Sequence, residues 1–250
     1  MPLSMSRFGA PLARTALAFA VVTTTAACVG NLSGRATDEW TRSYPLGAGG
    51  EVEITNTNGA IEFEPVDGST VEVRAERIAK ATSDDGAREL LPRITISENA
   101  NPKHVTIKTE GLGGLMIGAS VEVRYHVKAP RTAAIRASNT NGQITINGMS
   151  GKIAAHTTNG AVVMDLGAVA DKIDASTTNG AVTLTLAPDA KADLSASVTN
   201  GGISVTGLKL ETTEQSRRKL EGKINGGGPS VELHTTNGGV RVRAKGSVSS

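Results

Sequence analysis

The tripeptide Thr-Asn-Gly occurs six times in this chain, centred on Asn58, Asn141, Asn159, Asn179, Asn200 and Asn237. From Asn141 to Asn200 the copies follow at intervals of 18, 20 and 21 residues. A turn that returns at a near-constant period marks a stacked repeat, in which each unit buries its apolar face only against its neighbours. With the copies aligned on the asparagine, the residues three and five places after it are all apolar, from Ile61 and Phe63 to Val240 and Val242. Those four and six places before it are apolar too, from Ile54 and Val52 to Leu233 and Val231. The columns between are polar or mixed. Alternation with period two on both sides of a turn means two half-buried strands per repeat.

Two architectures use such a turn, since glycine supplies positive φ without strain and asparagine tolerates it. In a β-solenoid each repeat is one coil, and the six asparagines form a hydrogen-bonded ladder up one corner. In an antiparallel hairpin meander, Asn-Gly closes a type I′ turn. The identity of Thr-Asn in all six copies favours the solenoid, because a hairpin accepts Asp-Gly or Gly-Gly as readily. The 83 residues between Asn58 and Asn141 are close to four periods, which leads to the expectation of degenerate coils between them. The fold class expected is all-β, a single solenoid domain over residues 48–246 with a charged insert at 211–226. That insert reads as a solvated loop or short surface helix, with a partner-docking arm as the alternative.

The chain begins with a targeting pattern. Arg7 and Arg14 make a basic start, Thr15–Val22 a short apolar run, and Thr25-Ala26-Ala27 a small-residue cleavage site before the sole cysteine, Cys28. This segment resembles a bacterial lipoprotein leader. The resemblance implies that residues 1–27 are removed and that Cys28 carries a diacylglyceryl anchor in a membrane. Thr25 departs from the usual Leu, which leaves ordinary signal cleavage as an alternative, and Val29 is not the Asp that retains enterobacterial lipoproteins at the inner membrane. Residues 28–47 then read as anchor and tether, with Trp40 and Tyr44 docking the tether or capping the first coil, and 247–250 as a tail.

Composition narrows the function classes. The formal net charge of +2 resides in Arg7 and Arg14, and the rest of the chain is balanced. A neutral chain with six aromatic residues, two of them (Phe8 and Phe19) in the leader, lacks the basic face and the stacking groups that nucleic acid needs. Among the histidines, His156 and His234 share an outward column and fall three coils apart in sequence order, ~14 Å at strand spacing. That is too far to share a metal, and no metal or cofactor motif is present. Gly111–Gly118 fails the dinucleotide pattern because Met116 stands at the third glycine position. Its Leu115, Met116 and Ile117 form an apolar loop, with a membrane or partner contact as the alternative.

Glycoside hydrolysis needs two carboxylates about 5–9.5 Å apart. The outward columns place no two acids side by side in sequence order among the regular coils, so no catalytic residue is assigned. The polar face that does stand out is a hydroxyl array, Thr145, Thr183, Thr185, Ser204 and Thr206, a candidate surface for a glycan or an envelope or host protein.

The iterated strand–Thr-Asn-Gly–Ile/Val-x-Ile/Val unit, following Tyr125-x-Val127-x-Ala129-Pro130, resembles the putative-adhesin β-strand-repeat family of bacterial envelope proteins, a domain of unknown function, over roughly residues 50–246. The resemblance implies a β-helical fold and an exported, lipid-anchored binding or scaffolding module, without catalytic residues. A carbohydrate-active enzyme on a β-helix and a purely structural envelope lipoprotein are the alternatives.

Overall fold

The computed structural model describes residues 32–110 and 118–246. Cys28, residues 1–27, Leu115, Met116 and Ile117 and residues 247–250 lie outside the described residues. The strands are β1 (Gly34–Pro45), β2 (Glu51–Asn58), β3 (Ile61–Val66), β4 (Thr70–Ala81), β5 (Thr95–Asn101), β6 (His104–Glu110) and β7 (Ala119–Pro130). A short α-helix, α1 (Asp84–Leu90), follows β4 and runs into a 3-10 turn at Leu91–Arg93; its first turn is capped by the Ser83 hydroxyl, which accepts from the Gly86 amide at 3.2 Å. Then come the repeats: β8 (Ala134–Asn141) with β9 (Ile144–Asn147), β10 (Ile153–Asn159) with β11 (Val162–Asp165), and β12 (Ile173–Asn179) with β13 (Val182–Leu186). They continue with β14 (Ala192–Asn200) and β15 (Ile203–Thr206), a hairpin of β16 (Leu210–Gln215) and β17 (Lys219–Ile224), and a last repeat of β18 (Ser230–Asn237) and β19 (Val240–Ala244).

The two strands flanking each Thr-Asn-Gly lie in different sheets, so the turn is a corner between sheets and the fold is a β-solenoid. One sheet has nine strands in the order β1-β4-β7-β3-β9-β11-β13-β19-β15, the other ten in the order β16-β17-β14-β18-β12-β10-β8-β2-β6-β5. Coil pairs with coil in parallel and in register, Asn159 opposite both Asn141 and Asn179. The apolar columns meet between the sheets: Ile135, Ile153, Ile173 and Val231 on one side and Ile144, Val162, Val182 and Val240 on the other are all buried. Ala137, Ala155, Ala175 and Ala196 are fully buried between them. Side chains this small let two sheets close on each other with almost no aromatic filling.

The glycine of each corner is required by the stacking. Its φ lies between 140° and 157° in the last five copies. A Cβ on Gly160 would stand 2.1 Å from the Gly142 carbonyl oxygen, one on Gly180 2.0 Å from that of Gly160, and one on Gly238 1.8 Å from that of Gly180. The carbonyl so approached needs a donor, and the residue two places before the asparagine supplies it. Thr157, Thr177 and Thr235 donate from Oγ1 to the carbonyls of Gly142 (3.1 Å), Gly160 (2.8 Å) and Gly180 (2.9 Å), and Asn139 donates from Nδ2 to Gly59 (2.7 Å). These side chains are buried. In β14 the position is Val198, so the Gly238 carbonyl has no such partner.

Three features of the order depart from the sequence expectations. First, no degenerate coils separate Asn58 from Asn141: β2 and β3 stack directly on β8 and β9. The intervening residues fold back on the other side, where β6 and β7 form one coil-like layer and β4, β5 and β1 close it in antiparallel pairing. Val123 there takes the glycine's part, its carbonyl accepting from Asn56 Nδ2 at 2.9 Å. Second, the last repeat does not follow the fifth in space. β18 inserts between β12 and β14, and β19 between β13 and β15. Gly227 and Gly228 carry the chain past β14, where a Cβ would meet Asp193 Oδ1 at 2.5 Å and the Lys191 carbonyl at 2.8 Å. Third, residues 211–226 are neither loop nor helix: most of them form the β16–β17 hairpin, antiparallel to β14 along the end of the ten-stranded sheet.

The tether expectation also fails for Gly34–Pro45, which pairs along its full length with β4 as β1. Trp40 and Tyr44 are half-buried against the core from this strand. Beneath the coil-like layer, Tyr125, 1% exposed, bonds Thr109 Oγ1 at 2.7 Å, and Thr109 in turn donates to Asn56 at 2.9 Å. Burial pushes the Tyr125 phenol up to about 12. Among the described residues no helix is long and apolar enough to cross a membrane.

Two outcomes are expected. Thr177→Val should cost about 1–2 kcal/mol in urea unfolding by orphaning the Gly160 carbonyl, whereas Val198→Thr should stabilise by up to ~1 kcal/mol by supplying a missing donor. The Tyr125 phenol, raised in the native state, contributes stability that is intact below the unfolded-state value near 10 and lost as pH climbs towards 12. Unfolding midpoints measured across that window should therefore fall more steeply for the wild type than for Tyr125→Phe, with Tyr44→Phe as control because the Tyr44 phenol, desolvated and bonded to Glu98, is raised too.

Candidate binding face

The asparagines of the corners stand in a solvent-exposed column. Nδ2 of Asn159 donates to Oδ1 of Asn141 at 2.9 Å, Asn179 to Asn159 at 2.8 Å, Asn237 to Asn179 at 2.9 Å and Asn200 to Asn237 at 2.9 Å. Asn58 sits outside this run of amide pairs and donates to the Val121 carbonyl at 2.6 Å. The ladder follows the spatial order of the coils, not the order in the chain.

The inserted repeat also changes what the outward faces present. On the nine-stranded sheet, Arg241 lies in register between Thr183 and Ser204, and Arg243 between Thr185 and Thr206. The hydroxyl array read from sequence is thus split by a pair of arginines. Arg243 Nε donates to Thr185 Oγ1 at 3.1 Å, and Thr185 is itself buried beneath the surface row. Thr183, Ser204, Thr206, Arg241, Arg243 and Val163 line a shallow depression of about 390 Å³. Thr145 does not reach it: it sits on β9, on the far side of β11, and takes a hydrogen bond from Gln143 at 2.9 Å. Both arginines were visible in the repeat columns, but chain order set them beyond the charged insert. The signal missed was that a repeat can enter the stack out of turn.

The same insertion overturns the expectation that no two acids adjoin. Asp174 and Glu232 are register partners on the ten-stranded sheet. Lys172 Nζ donates to Glu232 at 2.8 Å and holds its carboxyl below the usual range, the direction opposite to what a general acid requires. His156 and His234 are two strands apart, not three, with Ser176 between them; His156 Nδ1 lies 2.7 Å from Ser176 Oγ and His234 Nδ1 2.9 Å from Ser197 Oγ. Acids also converge at the amino-terminal end of the nine-stranded sheet, where Glu39, Glu62, Glu64 and Glu72 share a concavity of about 360 Å³ with Arg74, His126 and Lys128. Opposing groups interleave across its strands, with Arg74 paired to Glu39 at 2.8 Å and His126 Nδ1 3.0 Å from Glu62, which describes a solvated polar lattice.

One possible ligand set escaped the sequence reading: atoms of Glu51, Glu53 and His104 lie within 4.8 Å of one another on β2 and β6. Arg136 Nε lies 3.1 Å from Glu51 and His104 Nε2 3.2 Å from Glu53, so the members of the set are already engaged with protein partners.

The Toastrack DUF4097 domain family matches residues 119–243, and the chain belongs to it. It is a family of unknown function. No curated protein matches the chain. Among solved structures, a putative cell adhesion protein from Clostridium sporogenes is similar at 12% identity and a TM-score of 0.49, over 83% of this chain and 100% of that one. A putative adhesin from Bacteroides fragilis is similar at 11% identity and a TM-score of 0.29, over 83% of this chain and 97% of the other.

Asn179 carries one ladder bond in each direction from an exposed position. Asn179→Ala is expected to lower stability by about 1 kcal/mol in chemical denaturation, and a loss below ~0.5 kcal/mol would mean that water replaces the ladder.

Proposed function

We propose that this chain is a non-catalytic, adhesin-like binding or scaffolding module of the cell envelope, held by a lipid at Cys28 and engaging its partner through the outward face of the nine-stranded sheet. The observation that carries this reading is the depression in which Thr183, Ser204 and Thr206 flank two exposed arginines. A solenoid face is a regular array of side chains at strand spacing, suited to contacts with an extended partner. The leader pattern and the lone Cys28 support export and anchoring. The carboxylate pairs lean away from hydrolysis, since Glu232 is held ionised by Lys172 and the acids near β3 are interleaved with cations.

The test is binding of the protein lacking its leader to an array of glycans and of envelope and matrix proteins. Saturable binding that falls at least tenfold with Thr183→Lys or Ser204→Lys is the expected result. Loss of binding with Thr145→Lys but not with these two would place the partner elsewhere on the sheet. A blank array would favour a purely structural envelope protein.

A further inference from the structure

Resting on that reading of the face, we infer that its depression is a subsite for an acidic glycan, in which Arg241 and Arg243 take uronate carboxylates while Thr183, Ser204 and Thr206 bond the sugar hydroxyls. The charge pattern carries the inference. On the nine-stranded sheet near the amino-terminal end, arginines are neutralised: Arg74 by Glu39 at 2.8 Å, Arg124 by Glu122 at 2.7 Å. Arg241 and Arg243 differ. Among the described residues no carboxylate lies within 4.0 Å of either guanidinium. In the register row of Arg243, Asp165 stands two strands away on β11 and is paired with Lys245, just after β19, at 3.4 Å. Across β13 and β15 the flanking residues are hydroxyls alone. Two like charges two residues apart on one strand, with no counter-charge built in, leave a place for an anion from outside.

The geometry fits a carboxylated polyol and disfavours a nucleic acid or a neutral glycan. A planar guanidinium fork donates two parallel hydrogen bonds to a carboxylate. Arg243 Nε is already committed to Thr185 Oγ1 at 3.1 Å, which fixes the plane of the fork and leaves its terminal amino groups for a ligand. Rows one strand apart lie ~4.8 Å from each other, and Arg241 and Arg243 lie ~7 Å apart along β19, so a chain crossing the strands meets hydroxyl, cation and hydroxyl in succession. Hydroxyls are at once donors and acceptors and suit a polyol. No aromatic side chain lines the depression, so a nucleobase has no stacking surface, and a neutral glycan gives the guanidinium pair no counter-charge.

The experiment uses the full-length protein in detergent, titrated with polygalacturonate, alginate, dextran sulfate and neutral dextran. Each of Arg241→Gln, Arg243→Gln, Arg74→Gln and Thr183→Lys is compared with the wild type after its unfolding midpoint has been matched. Saturable binding to either polyuronate is expected, weakened at least tenfold by Arg241→Gln or Arg243→Gln, unchanged by Arg74→Gln, and absent for neutral dextran. Polyuronate binding indifferent to both arginine variants overturns the inference. So does dextran sulfate binding tighter than both polyuronates, which would mark general ion exchange. If neutral dextran binds and Thr183→Lys abolishes it while the arginine variants do not, the face still binds glycans and only the acidic assignment falls. If none of the four polymers binds, the acidic-glycan assignment fails, and the protein-array result alone decides whether the face binds at all.

Discussion

The stack depends on how closely one corner approaches the next. Each corner glycine rests against a carbonyl of the next layer, that of a glycine in five copies and of Val123 for Gly59, at a separation that excludes any Cβ, and weak Cα–H···O contacts of this kind recur where backbones pack tightly. The contact turns that carbonyl towards the interior, where a buried polar atom without a partner is costly. The Thr or Asn two positions before the ladder asparagine removes the penalty. Glycine, buried hydroxyl and exposed amide therefore act as one unit. Thr-Asn-Gly recurs because each of its neighbours along the stack imposes the same constraint, and Asn56, Asn139, Thr157, Thr177 and Thr235 belong to that constraint although they lie outside the tripeptide.

A stack built from one repeated contact does not specify the order in which repeats are placed. Any coil with the right columns fits beside any other, and the chain exploits this by leaving a slot beside β12 that β18 later fills. What forces the slot is local: the β16–β17 hairpin runs antiparallel along the far edge of β14, and the glycine-rich link returns the chain on the inner side. The hairpin covers the outer edge of β14 and ends the sheet on β16, whose register breaks between Thr212 and Glu214, an irregularity that blunts pairing with another chain. Insertion has a second consequence, since it alone sets Arg241 between Thr183 and Ser204 and Asp174 beside Glu232.

This is why the strands were legible in the sequence and their neighbours were not. The alternation around Asn159 or Asn179 follows from burial on one face, a property of each residue, and it marks both strands of every coil. Register within a coil pair follows from the shared asparagine. Spatial succession is a property of the whole chain, and reading the columns in chain order set Arg241 beyond the hydroxyls it divides. The polar column at Thr157, Thr177 and Thr235 was readable as a departure from apolar-inside, but a solvated turn explains threonine equally well until the facing carbonyl is known. β1 was obscured differently. Its alternation of half-buried and exposed residues along Ala36–Tyr44 is that of a strand covered on one face, and composition alone does not separate such a segment from a tether.

A repeat protein of this kind divides its residues cleanly between two tasks. Inward columns and corners are held by stacking and tolerate little change. The outward columns meet only solvent and are free to differ from coil to coil, so whatever distinguishes one face from another must be written there. On the nine-stranded sheet that variation is directional: Glu, Arg, His and Lys interleave at one end, and towards the other an unneutralised arginine pair stands between two hydroxyl rows. On the reading proposed above, such a surface would orient a long partner as well as hold it, the arginine pair fixing the register and the hydroxyl rows following. On that same reading, specificity rests with the repeat that occupies the slot beside β13, and exchanging the last repeat for another with the same inward columns would preserve the fold while changing what the face recognises.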